Sequence, residues 1–145
     1  MADLATLSRR WFEEVWNQRR EATIDELFAP DGIAHGLSDG QKKLPGPVAF
    51  RGFWKRFLNA FPDLRIEIDD VISQGDKTAL RFHFTGTHRG ADLGMPPTGK
   101  QVNVTGMSII RWRNGQIVDG WNEFDVMSLM QQLGAAPQSS PRGSA

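Results

Sequence analysis

The sequence predicts an α+β domain, a cone-shaped barrel in which N-terminal helices cover a curved antiparallel sheet around an apolar pocket. Three observations predict it. Up to Ala60 the apolar residues recur every three or four positions. Beyond Pro62 the period falls to two, and the segments so marked are joined by turn dipeptides and loops, with no helix between them until the last.

Each element follows from a local signal. Leu4, Leu7, Trp11, Phe12, Val15 and Trp16 form one stripe and predict a helix over Leu4–Gln18. Thr23, with Glu26 three residues on, matches a capping box and predicts a short helix from Thr23 to Phe28, stopped by Pro30. Asp31–Pro47 is rich in Gly and Pro and is expected to be irregular, with a short strand at Ile33–His35. Pro47 suits the first turn of a helix running to Ala60, whose face carries Phe50, Phe53, Trp54 and Phe57. Leu64, Ile66 and Ile68 alternate with charged residues and open the first long strand, which Val71–Ser73 extends. Gln74-Gly75-Asp76 turns it into a strand over Lys77–Gly86. The Gly- and Pro-rich stretch His88–Lys100 is a long hairpin loop before a strand at Val102–Arg113. Asn114-Gly115 is the strongest hairpin turn dipeptide, and Gln116–Phe124 returns as the last strand. Val126–Leu133, ended by Gly134, closes the domain, so residues 1–134 form one domain and 135–145 a flexible tail.

Composition narrows the function. A chain of 145 residues supports one core. Seventeen basic side chains balance seventeen acidic ones, so the protein offers no global field to a nucleic acid or an anionic membrane surface. Without cysteine, disulfides, thiolate nucleophiles and cysteine metal sites are excluded. The N-terminal residues lack the apolar core of an export signal and no long apolar run occurs, so a soluble, cytoplasmic protein is expected. Phosphate-binding glycine loops, HExxH and GxSxG are absent, and His35, His83 and His88 match no metal-ligand spacing, so neither a cofactor nor a metal is expected.

The candidate chemistry is therefore acid–base chemistry and hydrogen bonding. His83 shares a strand face with Arg81 and Thr85, opposite Phe82 and Phe84. It is a general base if the polar face lines the pocket, and an exposed or interface histidine if the apolar face does. His35 precedes the Gly- and Pro-rich segment, where a pocket mouth would be lined. Alternation along the last strand groups Val118, Gly120, Asn122 and Phe124, and the Asn122 amide could orient a carbonyl or enolate oxygen. Asp125 is either an acid–base group or the N-cap of the closing helix. Trp16, Phe53, Trp54, Phe57 and Phe124 are candidates to line the pocket, with core packing as the alternative for the helical aromatics. An uncovered sheet face would favour a homodimer or higher homo-oligomer.

Four segments carry a family likeness: Ala60-Phe61-Pro62-Asp63-Leu64, Gly86-Thr87-His88-Arg89-Gly90, Gly94-Met95-Pro96-Pro97-Thr98-Gly99 and Gln131-Gln132-Leu133-Gly134. Together they resemble the SnoaL-like polyketide cyclases, over about Leu4–Gly134. The resemblance implies the fold of nuclear transport factor 2 and ketosteroid isomerase, a cone around a deep apolar cavity. It also implies cofactor-free intramolecular aldol ring closure of polyketide esters, with a carboxylate on the last strand as base. That carboxylate's position falls on Asn122, and the position of a cyclase histidine on Ser108, which joins the candidate substrate-binding residues. An amide cannot abstract a proton, so the resemblance carries the fold further than the reaction. Three functions fit: a cofactor-independent cyclase, lyase or isomerase of a small apolar carbonyl compound; a hydroxylase or epoxide hydrolase on the same cone; and a non-catalytic binding or dimerisation module.

Overall fold

A computed structural model describes residues 3–37 and 43–135. Among these residues four α-helices and six strands follow in the order α1 (Leu4–Trp11), α2 (Glu21–Leu27), β1 (Phe28–His35), β2 (Leu44–Pro45), α3 (Gly46–Ala60), β3 (Arg65–Gln74), β4 (Lys77–Thr87), β5 (Gln101–Arg113), β6 (Gln116–Phe124) and α4 (Val126–Leu133). The single sheet has the order β2-β1-β6-β5-β4-β3 and does not close. β3 to β6 form the expected antiparallel meander, and β1 adds to it parallel to β6. The expected tail lies outside the described residues, apart from Ala135.

Apolar periodicity decides which face is covered. Leu80, Phe82 and Phe84 on β4 and Val102, Val104 and Ile110 on β5 are buried, whereas Lys77, Ala79 and Arg81 point outward. The helical aromatics pack on that inner face, with Phe12 against Phe82 and Phe57 edge-on to Phe84. After Trp11 the first helix widens into a π-helical turn over Phe12–Asn17, and Trp54 of α3 donates its indole N–H to the Val15 carbonyl at 2.9 Å. Two bulges bend the antiparallel part of the sheet, Asp69 being extra in β3 and Val118 extra in β6, and β1 shifts register against β6 between Phe28 and Ile33.

Three sequence expectations are corrected. Thr23 does not cap α2; Arg20 holds the N-cap position, because the Thr23 hydroxyl donates to Glu14 at 2.7 Å and accepts from Arg20 at 2.6 Å. Phe28 belongs to β1, which begins five residues earlier than the short strand expected at Ile33 and runs through Pro30 and Gly32. The bulge at Val118 reverses the alternation, so Ile117, and not Val118, shares the inner face with Gly120, Asn122 and Phe124. At the other end, Asp125 caps α4 by accepting from the Ser128 N–H at 2.9 Å, and the Gln132 amide pairs with both backbone groups of Asn103, tying α4 to β5.

Candidate functional site

The inner sheet face and the helices do not meet everywhere. Between them lies a cavity of about 70 Å³, room for about two waters at the roughly 30 Å³ each takes in the liquid. Trp11, Phe12 and Trp16 line it from the first helical segment, Phe50, Phe53 and Phe57 from α3, and Phe82, Phe84, Ile110, Ile117, Gly120 and Phe124 from the sheet. Trp16 meets its neighbours edge-on, lying 6.0 Å from Phe50 at 84° and 6.0 Å from Phe57 at 85°. T-shaped contacts of this kind hold a wall rigid, so the gap does not simply collapse. Leu37, Phe53, Phe57 and Phe124 also line a shallower groove that runs toward Arg56, Asp92 and α4, so the cavity opens there.

Among the described residues, Asn122 is the only side chain in the wall that is neither aliphatic nor aromatic. β6 holds it opposite Ser108 of β5. The Ser108 hydroxyl, nearly inaccessible, donates to Asn122 Oδ1 at 2.6 Å. Asn122 Nδ2 donates to the His35 carbonyl at 3.0 Å and to the Gly120 carbonyl at 3.3 Å. Two acceptors on one side and a donor on the other orient the amide unambiguously.

The titratable candidates stand elsewhere. His83 is on the outer face of β4, its Nδ1 2.9 Å from Asp69 and its Nε2 3.5 Å from Glu67. His35 is also on the outer face: its ring stacks on Trp121 at 5.4 Å and its Nε2 lies 3.1 Å from Asp119. Burial raises the Asp119 carboxyl, but hydrogen bonds from Arg111 and His35 outweigh it and hold the group below its ordinary value. Asp125 is engaged at the start of α4. Strand alternation explains this placement, since the charged and apolar residues of β4 occupy opposite faces and the apolar face is inside.

Of the expected pocket-lining residues, Trp16, Phe53, Phe57 and Phe124 line the cavity. Trp54 is buried beside it with its indole committed to Val15, and Ser108 stands behind Asn122. Residues not singled out from the sequence include Phe82, Phe84, Gly120 and Ala34. The signal for Phe82 and Phe84 was there in the apolar face opposite His83, but alternation alone does not say which face turns inward.

Comparison with known proteins agrees with this architecture. The family model "SnoaL-like polyketide cyclase" matches residues 6–133. The chain is 25% identical over 131 residues to aklanonic acid methyl ester cyclase DnrD of Streptomyces peucetius, covering 90% of each protein. Among solved structures, TsrD from Streptomyces laurentii superposes with a TM-score of 0.80 at 25% identity, covering 93% of this chain and 99% of that one. IdmH from Streptomyces antibioticus gives a TM-score of 0.79 at 29% identity, covering 92% and 99% respectively. The cone, the inward aromatic face and a family match spanning nearly the whole described chain place this protein in the SnoaL-like polyketide cyclase family.

Proposed function

We propose that this chain binds a planar, polyketide-like carbonyl compound in the aromatic cavity and promotes its cyclisation or isomerisation without a cofactor, by confinement and hydrogen bonding. The observation that carries the reading is the cavity wall, built from aromatic rings around Asn122, the single polar side chain there among the described residues. A flat ring system is held there between Trp16, Phe57 and Phe124, with its remaining atoms in the groove toward Arg56. Confinement favours ring closure by fixing the reacting ends near each other, a contribution that can reach several kcal/mol. Asn122 replaces the carboxylate that the family resemblance implies, so either a water takes the proton from the nucleophilic carbon, or the substrate enters as its enol, whose O–H proton passes to the carbonyl oxygen that ring closure turns into a hydroxyl.

A second reading, a binding module without turnover, is favoured by one observation. Among the described residues, no Asp, Glu, His, Lys or Arg lines the cavity. The experiment that separates the two is a mass-spectrometric search for metabolites that co-purify with the protein, followed by incubation of each with wild type and with Asn122→Leu. Conversion by wild type that is lost in the variant supports the enzyme. Binding without conversion supports the module, and no bound compound under any condition removes both. Self-association is proposed through the outer face, where Met107, Ile109 and Trp121 are exposed together; sedimentation of wild type against Ile109→Lys tests it, and a monomeric wild type would end it.

A further inference from the structure

We infer that the polar end of the cavity accepts a hydrogen bond and does not donate one, so that the ring it takes carries a hydroxyl, the phenolic or enolic form of a carbonyl compound. This rests on the proposed function, which supplies the ligand's carbon frame; the hydrogen bonds around Asn122 supply the rest. Both protons of the Asn122 amide face carbonyl oxygens, those of His35 and Gly120 at 3.0 and 3.3 Å. The one proton of Ser108 goes to Asn122 Oδ1 at 2.6 Å. Rotating the amide by half a turn would bring Oδ1 against two carbonyl oxygens and an NH₂ against the Ser108 hydroxyl, losing two hydrogen bonds and pairing oxygens without a proton. The donors of this pair are therefore used up.

What remains toward the cavity is the second lone pair of Asn122 Oδ1, while the Ser108 oxygen, which also only accepts further bonds, is buried behind it. A ketone or ester oxygen placed beside it meets another oxygen with no proton between them and leaves both unsatisfied in an apolar wall. A hydroxyl completes the set. A compound able to exist as ketone or enol would be held as its enol, the tautomer whose carbon is nucleophilic, without any side chain in the cavity having to remove a proton first. This differs from the role that the sequence alone suggested for Asn122, orienting a carbonyl or enolate oxygen.

Three probes of one carbon frame test it: α-naphthol, its methyl ether and α-naphthaldehyde, titrated calorimetrically into the wild-type protein at neutral pH. The naphthol is expected to bind about tenfold more tightly than either of the others, a difference of about 1.4 kcal/mol. Asn122→Leu is expected to abolish that preference. Ser108→Ala, which frees a further lone pair on Oδ1, is expected to keep the preference, and provides the test should Asn122→Leu fail to fold. Equal binding of all three, tighter binding of the aldehyde, or loss of the naphthol preference in Ser108→Ala overturns the inference while the cavity reading stands. If none of the three binds, the cavity reading falls and takes this one with it.

Discussion

Replacing Gly120 with alanine is expected to make the protein more stable and its cavity less able to bind. The Cβ that the substitution adds would have as its nearest neighbour Asn122 Nδ2 at 3.9 Å, ordinary contact, and the residue needs no left-handed backbone. The methyl therefore enters open space in the cavity wall. A glycine inside a strand costs about 0.5–1 kcal/mol relative to alanine through the freedom of the unfolded chain. A buried methyl adds up to about 0.8 kcal/mol. The variant should thus gain about 1–1.5 kcal/mol, which for a domain of this size raises Tm by roughly 3–6 °C. Urea unfolding and thermal melts measure the gain, and titration with α-naphthol measures the loss, expected at about tenfold or more because the added methyl takes space from a cavity of only about 70 Å³. Destabilisation by more than about 1 kcal/mol, or unchanged naphthol affinity in a folded variant, would show that the inner face of β6 is not the cavity wall. Gly106, four pairs along the β5–β6 ladder from Gly120, gives the opposite expectation: a Cβ there would lie 2.6 Å from the Phe82 ring, so Gly106→Ala must displace that ring and destabilise.

Further outcomes follow from the same geometry. Trp54→Phe leaves the ring but strands the Val15 carbonyl, and should cost about 1–3 kcal/mol in urea unfolding with little effect on naphthol affinity. His83→Ala should leave probe binding unchanged within error, because the imidazole pairs with Asp69 on the outer face; a marked loss of affinity would refute that placement. Asp119 is held below its ordinary value by Arg111 and His35 against the effect of burial, and Asp63 by Thr87 likewise. The stability these groups add is present above the ordinary carboxylate range and lost as pH falls through their lowered values. Asp119→Asn should therefore flatten the acid limb of the stability profile, and a limb as steep as wild type would count against this origin.

Much of the fold was legible because it is written in short periods. The strand pair around Asn114-Gly115 follows from a dipeptide whose two residues both take positive φ, 53° and 76°, as that hairpin turn requires. β6 and α4 begin and end where alternation and the Asp125 cap place them. What sequence periodicity lacks is phase and partner. Val118 continues the alternation on paper, yet the bulge moves it off the inner face, because a bulge depends on the twist of the paired strand and not on β6 alone. Thr23-x-x-Glu26 has the capping pattern, but Glu14, nine residues earlier in the chain, takes the hydroxyl. β1 was hidden for the same reason: a strand through Pro30 and Gly32 is held by its neighbour β6, which local propensity does not see. The position of Asn122 was readable, whereas the direction of its hydrogen bonds needed the His35 and Gly120 carbonyls, one of them distant in sequence.

Restoring a carboxylate at position 122 tests how far this site has moved from one that holds a base. In Asn122→Asp one carboxyl oxygen keeps the Ser108 hydroxyl, while the other replaces the NH₂ that served the His35 and Gly120 carbonyls at 3.0 and 3.3 Å. Ionised, that oxygen faces two carbonyl dipoles in an apolar wall; protonated, it donates to one of them much as the amide does. Both burial and the lost donor therefore push the carboxyl above the ordinary aspartate value of about 3.9. A raised folded-state value contributes stability that is complete below the unfolded value and lost as pH rises through the folded one. The variant should unfold at nearly the wild-type urea concentration in mild acid and fall behind by about 1–3 kcal/mol at neutral pH. Equal stability at both values would mean that the carboxylate finds a donor, and the case for a wall without an available proton would fail. The resemblance sets a carboxylate and a histidine at these two positions, whereas here an amide and a hydroxyl satisfy each other as neutral partners. A carboxylate at 122 without a new donor at 108 strands a charge, so a return to base catalysis would need both positions to change together.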